Sequence, residues 1–340
     1  MKAHLMYRDR DFDLEQPLPP NEPALTQDLE LGTLFEAMAA GDEFLRQVAR
    51  QAVLAGLRND VETVLYRQAI LQDCLQNQAI VRGVYDFAVE AIESKKKLWL
   101  GIFSRYPSGI LHDGRDLVRL FLGALGKLKA LAHEHGQEFQ SEGFRTFFAM
   151  LKAELTDEYF AEVKNRLGEL EFRGGVLISA ELGAGGQGCN YVLRKSTRPR
   201  PGWFRRLFSR KLPAFTFRIS ERDEAGARAL SELNDRGIHL VANALGQSAD
   251  HIQNFFIMLR TELAFYLGCA NLHREFGRRG VPVCFPVPAP SDSRRHAGVG
   301  LRDACLALSL QQGVVASDLA ADGKDLVVIT GANQGGKSTF

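Results

Sequence analysis

The run Gly331-Ala332-Asn333-Gln334-Gly335-Gly336-Lys337-Ser338-Thr339 satisfies G-x-x-x-x-G-K-[ST], the spacing of a loop that wraps a phosphate chain. Gly331, Gly335 and Gly336 open backbone conformations that a Cβ closes, so successive N–H groups can converge on a β-phosphate. Lys337 reaches the β- and γ-oxygens, and Ser338 offers its hydroxyl to Mg²⁺. All nine residues, 331 through 339, are therefore assigned to binding ATP, with Mg²⁺ held through the nucleotide and Ser338. Average residue usage gives such a match by accident in about 1% of chains of this length, so the motif outweighs a stray glycine-rich turn. A phosphate loop must follow a strand, and Asp325-Leu326-Val327-Val328-Ile329-Thr330 reads as a short apolar strand. These residues account for binding and not for hydrolysis: no acid that holds the metal or orients a water is identifiable, and the catalytic residues stay unassigned.

A second constellation is basic. Between Arg194 and Lys211 lie Arg194, Lys195, Arg198, Arg200, Arg205, Arg206, Arg210 and Lys211, with no acid among them and with Trp203, Phe204 and Phe208 interleaved. Such a segment can follow a phosphate backbone and stack its rings on bases or sugars. Pro199, Pro201 and Pro213 make it a loop whatever it binds. A solvated hairpin tip, or a contact with an acidic protein or a membrane surface, fits the same residues. Lys95-Lys96-Lys97 beside Trp99 is read as a solvated helix face.

Three other motifs lose their chemistry on inspection. Gly183-Ala184-Gly185-Gly186-Gln187-Gly188 matches G-x-G-x-x-G but sits between two strand-like runs, which makes it a hairpin turn and not a dinucleotide site. His133-Glu134-His135 sends its imidazoles in different directions from a helix, so it reads as surface. Cys284, in Val283-Cys284-Phe285-Pro286, has no histidine base near it in sequence. Cys74, Cys189, Cys269, Cys284 and Cys305 form no C-x-x-C pair, and packing thiols in a reducing compartment are expected.

Composition sets the frame. The 340 residues carry a net charge of +1 with 45% hydrophobic and 24% charged residues, ordinary for a globular chain of about two domains. That balance gives no global attraction to nucleic acid, so DNA binding requires a local patch. The first ten residues lack the apolar core of a signal peptide, and no uncharged stretch reaches membrane-spanning length, so a cytoplasmic protein without membrane contact is expected.

Helices must position both constellations. Leu31, Leu34, Phe35 and Met38 recur at helical spacing, and Asn59 with Glu62 reads as a capping box for a helix presenting Val61, Val64, Leu65 and Ala69. From Asp116 a stripe runs through Leu117, Leu120, Phe121, Ala124, Leu125, Leu128 and Leu131. A further stripe follows Thr156 through Tyr159, Phe160, Val163, Leu167 and Leu170. Another follows Ser248 through Ile252, Phe255, Phe256, Leu259, Leu263, Tyr266, Leu267 and Ala270. Between these last two the period changes: residues 175–179, 190–193 and 214–219 read as strands.

The loop T-G-A-N-Q-G-G-K-S-T, Thr330 to Thr339, resembles the T-G-P-N-M-G-G-K-S-T loop of the MutS family of DNA mismatch repair ATPases. Ala332 and Gln334 replace that family's proline and methionine, which suggests a divergent branch. Gly300-Leu301-Arg302-Asp303 and Ala304-Cys305-Leu306 are similar to the family's lead into its ATPase sheet, and Val64, Arg67 and Leu71 to its core pattern. The resemblance implies a mainly α fold in a set order. An extended lead-in occupies 1–27, a helical core and lever 28–170, a β-rich, clamp-like basic insertion 171–220, returning lever helices 221–280, and the opening of an α/β P-loop ATPase domain 281–340. It also implies an ATP-dependent DNA-binding protein, dimeric at full length, in which nucleotide governs how DNA is clamped. The DNA is expected to be duplex or structured. The family's mismatch-sensing module has no counterpart ahead of residue 28, and its metal-binding acid, signature loop and dimerisation helices would follow Phe340, so the chain is expected to be a short form truncated at the Walker A loop. A non-enzymatic scaffold with an incomplete nucleotide site, another P-loop NTPase with a helical arm, and a plain helical domain with a small sheet stay open beside it.

Overall fold

The structure, a computed structural model, describes residues 1–56, 60–99, 106–172, 175–195, 219–220, 222–310 and 313–331, and within 96–99 the backbone alone. Its described residues are mainly helical with two small antiparallel sheets. In chain order the helices are α1 (Glu22–Asp28), α2 (Leu31–Ala39), α3 (Glu43–Ala55), α4 (Val61–Gln76), α5 (Gln78–Trp99), α6 (Pro107–His135), α7 (Glu142–Glu154), α8 (Asp157–Glu169), α9 (Glu224–Arg278) and α10 (Ala304–Ser309). The strands are β1 (Leu177–Leu182) paired with β2 (Gly188–Arg194), and β3 (Ala297–Leu301) paired with β4 (Ser317–Ala320).

The chain divides into two compact units, the first of Met1–Ile92, Ala124–Leu155 and Asn254–Phe340, the second of Glu93–Gly123 and Thr156–Gln253. In the first unit, short polar side chains start the helices by accepting otherwise unpaired N–H groups. Asp42 accepts from Phe44 N at 2.8 Å to open α3, and Ser141 from Phe144 N at 3.4 Å to open α7. Phe35, Met38, Ala49 and Leu54 form a buried cluster flanked by Leu31, Leu34, Phe265 and Leu272. Phe139, Phe144 and Phe148 pack on one another in tilted, edge-on and stacked pairs, with ring centroids 4.5 to 5.8 Å apart. The buried carboxylate of Asp73 on α4 accepts from the backbone of Gln140 and Ser141, the latter at 2.8 Å, which ties α4 to the start of α7. A Cβ at Gly143 would overlap the Ile70 side chain, so glycine there permits this approach of α7 to α4.

The burial of α4 departs from expectation. Asp60, accepting from Thr63 N at 2.7 Å, is its N-cap, and Asn59 lies outside the described residues. The buried face carries Tyr66, Arg67, Ile70, Asp73 and Cys74, whereas Leu65 is exposed. Polar residues take the inward positions because each finds a partner there, which apolar periodicity does not register.

In the second unit, Thr156 caps α8 through Tyr159 N at 3.2 Å. Leu111, Ile238 and Ala242 are buried among Ile110, Leu170, Phe172, Val176, Leu193 and Leu245. The β1–β2 hairpin closes through a turn in which Gly183 N donates to Gln187 O at 2.8 Å and Gly185 and Gly186 take φ of 71° and 72°, values that glycine alone adopts freely. The G-x-G-x-x-G run is thus this hairpin's turn. Of the third expected strand, 214–218 lies outside the described residues and Ile219 is in no strand.

Helix α9 starts at Glu224, well ahead of the apolar stripe after Ser248. Its first half holds Gly226, Gly237 and Gly246 and exposes Leu230, Leu233 and Leu240, so propensity and periodicity are both weak there. Packing against the hairpin supplies what they lack. The stripe residues Phe256, Leu259, Leu263 and Tyr266 are fully buried, the pattern of a core helix, although the helix is long and apolar enough to cross a membrane. Helix α6 likewise starts earlier than Asp116, with Pro107 at its first position, where a missing N–H costs nothing.

Candidate functional site

The segment that leads to the phosphate-loop motif is built on the first unit. Asp303 opens α10 by accepting from Leu306 N at 2.8 Å. Short as it is, the helix buries Ala307 and Leu308 against Phe276, with Leu34, Ala37, Leu272 and Val281 around them. The end of α9 holds it from the other side: Arg279 Nη1 donates to Ala307 O and Leu310 O, both at 3.2 Å. A cation at a helix C-terminus satisfies carbonyls that have no partner within the helix. Glu275 receives Arg279 Nε at 2.8 Å, and that hydrogen bond holds the Glu275 carboxyl below its ordinary pKa. Burial, with Asp303 next, pushes the Cys305 thiol up, which suits a packing role.

Strands β3 and β4 flank α10. Ala297 pairs with Ala320 and Leu301 with Ser317, with an irregularity between where Gly300 takes φ of 68° and donates its N–H to Asp318 at 2.7 Å. Beyond β4, Asp322 accepts from His296 N at 2.6 Å and Arg294 pairs with Asp325. Carboxylates therefore hold the turn from β4 toward the motif.

Asp325–Thr330, read from sequence as the strand before the loop, forms no strand. Leu326, Val327, Val328 and Ile329 are 79%, 48%, 70% and 48% exposed. A strand of this apolar kind requires neighbours to take its backbone hydrogen bonds and cover its faces, and no described residue does so. Gly331 is exposed and outside regular structure; Ala332, Asn333, Gln334, Gly335, Gly336, Lys337, Ser338 and Thr339 lie outside the described residues.

Of the basic segment, Arg194 and Lys195 are described, in the second unit. Arg194 ends β2 opposite Leu177 and donates through Nε to Ser179 Oγ at 2.9 Å. Lys195 Nζ meets Glu169 at 2.7 Å, both side chains largely exposed. Such surface pairs exchange readily with another anion, since they contribute about 0–1 kcal/mol. Arg198, Arg200, Arg205, Arg206, Arg210 and Lys211 lie outside the described residues. Lys95, expected in solvent, is 14% exposed and donates to Asp250 at 3.1 Å and to Gln253, so it is a partner of α9. Among the described residues no group of histidine, cysteine and acid side chains could hold a metal ion, and His135 instead meets Glu138 at 2.7 Å.

A buried polar cluster in the first unit is not announced by the apolar periodicity of the sequence. Glu262, an acid inside the apolar stripe of α9, is 0% exposed and receives Leu5 N at 2.6 Å and Phe12 N at 2.9 Å. Tyr266 donates to Leu5 O at 2.5 Å, Tyr66 to His4 O at 2.7 Å and Arg67 Nε to Met6 O at 2.9 Å. The signal available was an ionisable residue between Leu259 and Leu263, where the pattern calls for an apolar one.

Comparison with curated proteins and with solved structures found no match for the chain. The family model for the MutS2 N-terminal domain matches residues 59–279, from the start of α4 past the β1–β2 hairpin to the end of α9. That match takes in more than half of the chain, including α4 to α9 and the β1–β2 hairpin, so the protein belongs to the MutS2 family.

Proposed function

We propose that this MutS2-family protein binds Mg-ATP through Gly331–Ser338 and that bound nucleotide governs a DNA contact made by the basic residues from Arg194 to Lys211. The observation that carries the reading is the G-x-x-x-x-G-K-S spacing itself, in a chain of this family. Two further observations support it. The segment leading to the motif is fastened to α9 by Arg279 and to the α2 face by Leu308. The basic run, devoid of acids and interleaved with rings, follows β2, and its first members Arg194 and Lys195 sit on exposed pairs that a phosphate can displace. Helix α9 is the covalent link between these regions, since it contributes residues to both units.

The test is retention of labelled ATP by the full-length protein and by its Lys337→Ala variant. The reading requires saturable, Mg²⁺-dependent retention that the variant loses. Equal retention by both proteins, or none by either, overturns it.

A further inference from the structure

We propose that residues 4–12 form a strap held in a buried cradle on α4 and α9, and that protonation of Glu262 tightens the strap while its ionisation loosens it. The cradle reads backbone, as a peptide-binding groove does. Tyr66, Arg67 and Tyr266 donate to the carbonyls of His4, Met6 and Leu5, and Glu262 accepts from the N–H groups of Leu5 and Phe12. Leu5, Met6 and Phe12 fill the spaces between, each at most 1% exposed. This segment has no helix or strand of its own, so these side chains supply its hydrogen bonds.

With the strap docked Glu262 is 0% exposed, and among the described residues it has no ion-pair partner. The groups around it do not neutralise it. From the strap come Asp11, whose charge opposes its ionisation, and His4, with Nε2 3.5 Å from Asp11. From α4 come Tyr66, Arg67 and Cys74, and from α9 Tyr266 and Cys269. Arg67, the cation of this set, donates through Nε to Met6 O and stacks 4.5 Å over the Tyr7 ring, while among the described residues its buried Nη2 has no hydrogen-bond partner and makes no ion pair with Glu262. Glu142 on α7 and Glu62 on α4 are engaged by Arg8 at the rim.

Burial pushes the docked carboxyl up to about 7, against the pull of the N–H groups of Leu5, Phe12 and Met6, which favour the anion. A neutral carboxyl keeps acceptor capacity for those N–H groups. Released into water, Glu262 would ionise near its ordinary 4.5. The docked state therefore holds the proton more tightly. Docking is strongest below the released value, weakens as pH rises between the two, and levels off above the docked value.

The experiment is amide hydrogen exchange on the full-length protein between pH 5 and pH 8, expressed as protection relative to each amide's intrinsic rate. Protection at Leu5, Met6 and Phe12 is expected to fall by about 70-fold across that range, and at every pH to lie below that of the Leu259 and Leu263 amides, because the strap opens without α9. Flat protection at the strap, or strap amides as well protected as those of Leu259 and Leu263 throughout, overturns the proposal. Glu262→Gln, fixed in the neutral form, is expected to flatten the strap's profile, and His4→Gln to leave it sloped; the reverse pattern would assign the switch to His4. Should Glu262→Gln fail to fold, the wild-type profile beside that of His4→Gln still decides.

Discussion

Arg279, just past the last turn of α9, donates to the carbonyl of Ala307 at the end of α10. Through this bond the longest helix grips the segment that runs on toward the phosphate-loop motif, and the same guanidinium reaches Leu310 O.

Arg279→Ala removes that donor and leaves Ala307 and Leu310 to water. The expected cost is about 1 kcal/mol, that of a partly exposed charge-assisted bond. Exchange at residues 304–310 should quicken, and ATP retention should weaken several-fold with Lys337 intact. Unchanged exchange in that stretch would show the bond to be idle.

Gly237 of α9 faces Ile178 of β1 with no room for a methyl group between them. Gly237→Ala gains about 1 kcal/mol of helix propensity but must displace most of the Ile178 side chain. We expect a net loss of about 1–2 kcal/mol in hairpin docking, read as faster exchange in β1 and β2 with α8 unaffected. The paired variant Gly237→Ala with Ile178→Ala should recover protection, because the smaller side chain vacates the space the methyl needs.

Glu262 also sets a global stability profile. Its folded-state pKa is raised, so the stability it contributes is full below about 4.5 and is lost as pH rises toward about 7. Urea denaturation of wild type and Glu262→Gln at pH 5 and pH 8 isolates the effect. The difference between the two proteins should change by about 2–3 kcal/mol over that interval, with wild type losing ground at pH 8. A constant difference would mean that the carboxyl does not titrate there.

Arg205 and Arg206, in the stretch expected to meet DNA, give the sharpest test of that contact. For duplex binding, Arg205→Ala with Arg206→Ala should flatten the dependence of log affinity on log salt by about 2, one phosphate contact for each arginine. Branched substrates should respond in the same direction. An unchanged slope removes these residues from the interface.

What sequence alone determined was local. The spacing of Leu117, Phe121, Leu125 and Leu128 required a helix, and Gly183 to Gly188 between two β-type runs required a hairpin turn, because neighbours along the chain fix period and turn geometry by themselves. The G-x-x-x-x-G-K-S spacing is legible for the same reason, since it lies in consecutive residues. Tertiary structure decided which polar residues went inside and which apolar runs found no partner. Arg67, Asp73 and Glu262 are buried because backbone groups distant in sequence meet them, which no helical period announces. Leu326 to Ile329 look like a strand, yet strandedness belongs to a pair and not to a segment. The first half of α9 and the cradle under residues 4–12 have one physical cause: contacts across long stretches of chain can overrule weak local preference, and such contacts exist only in the folded protein.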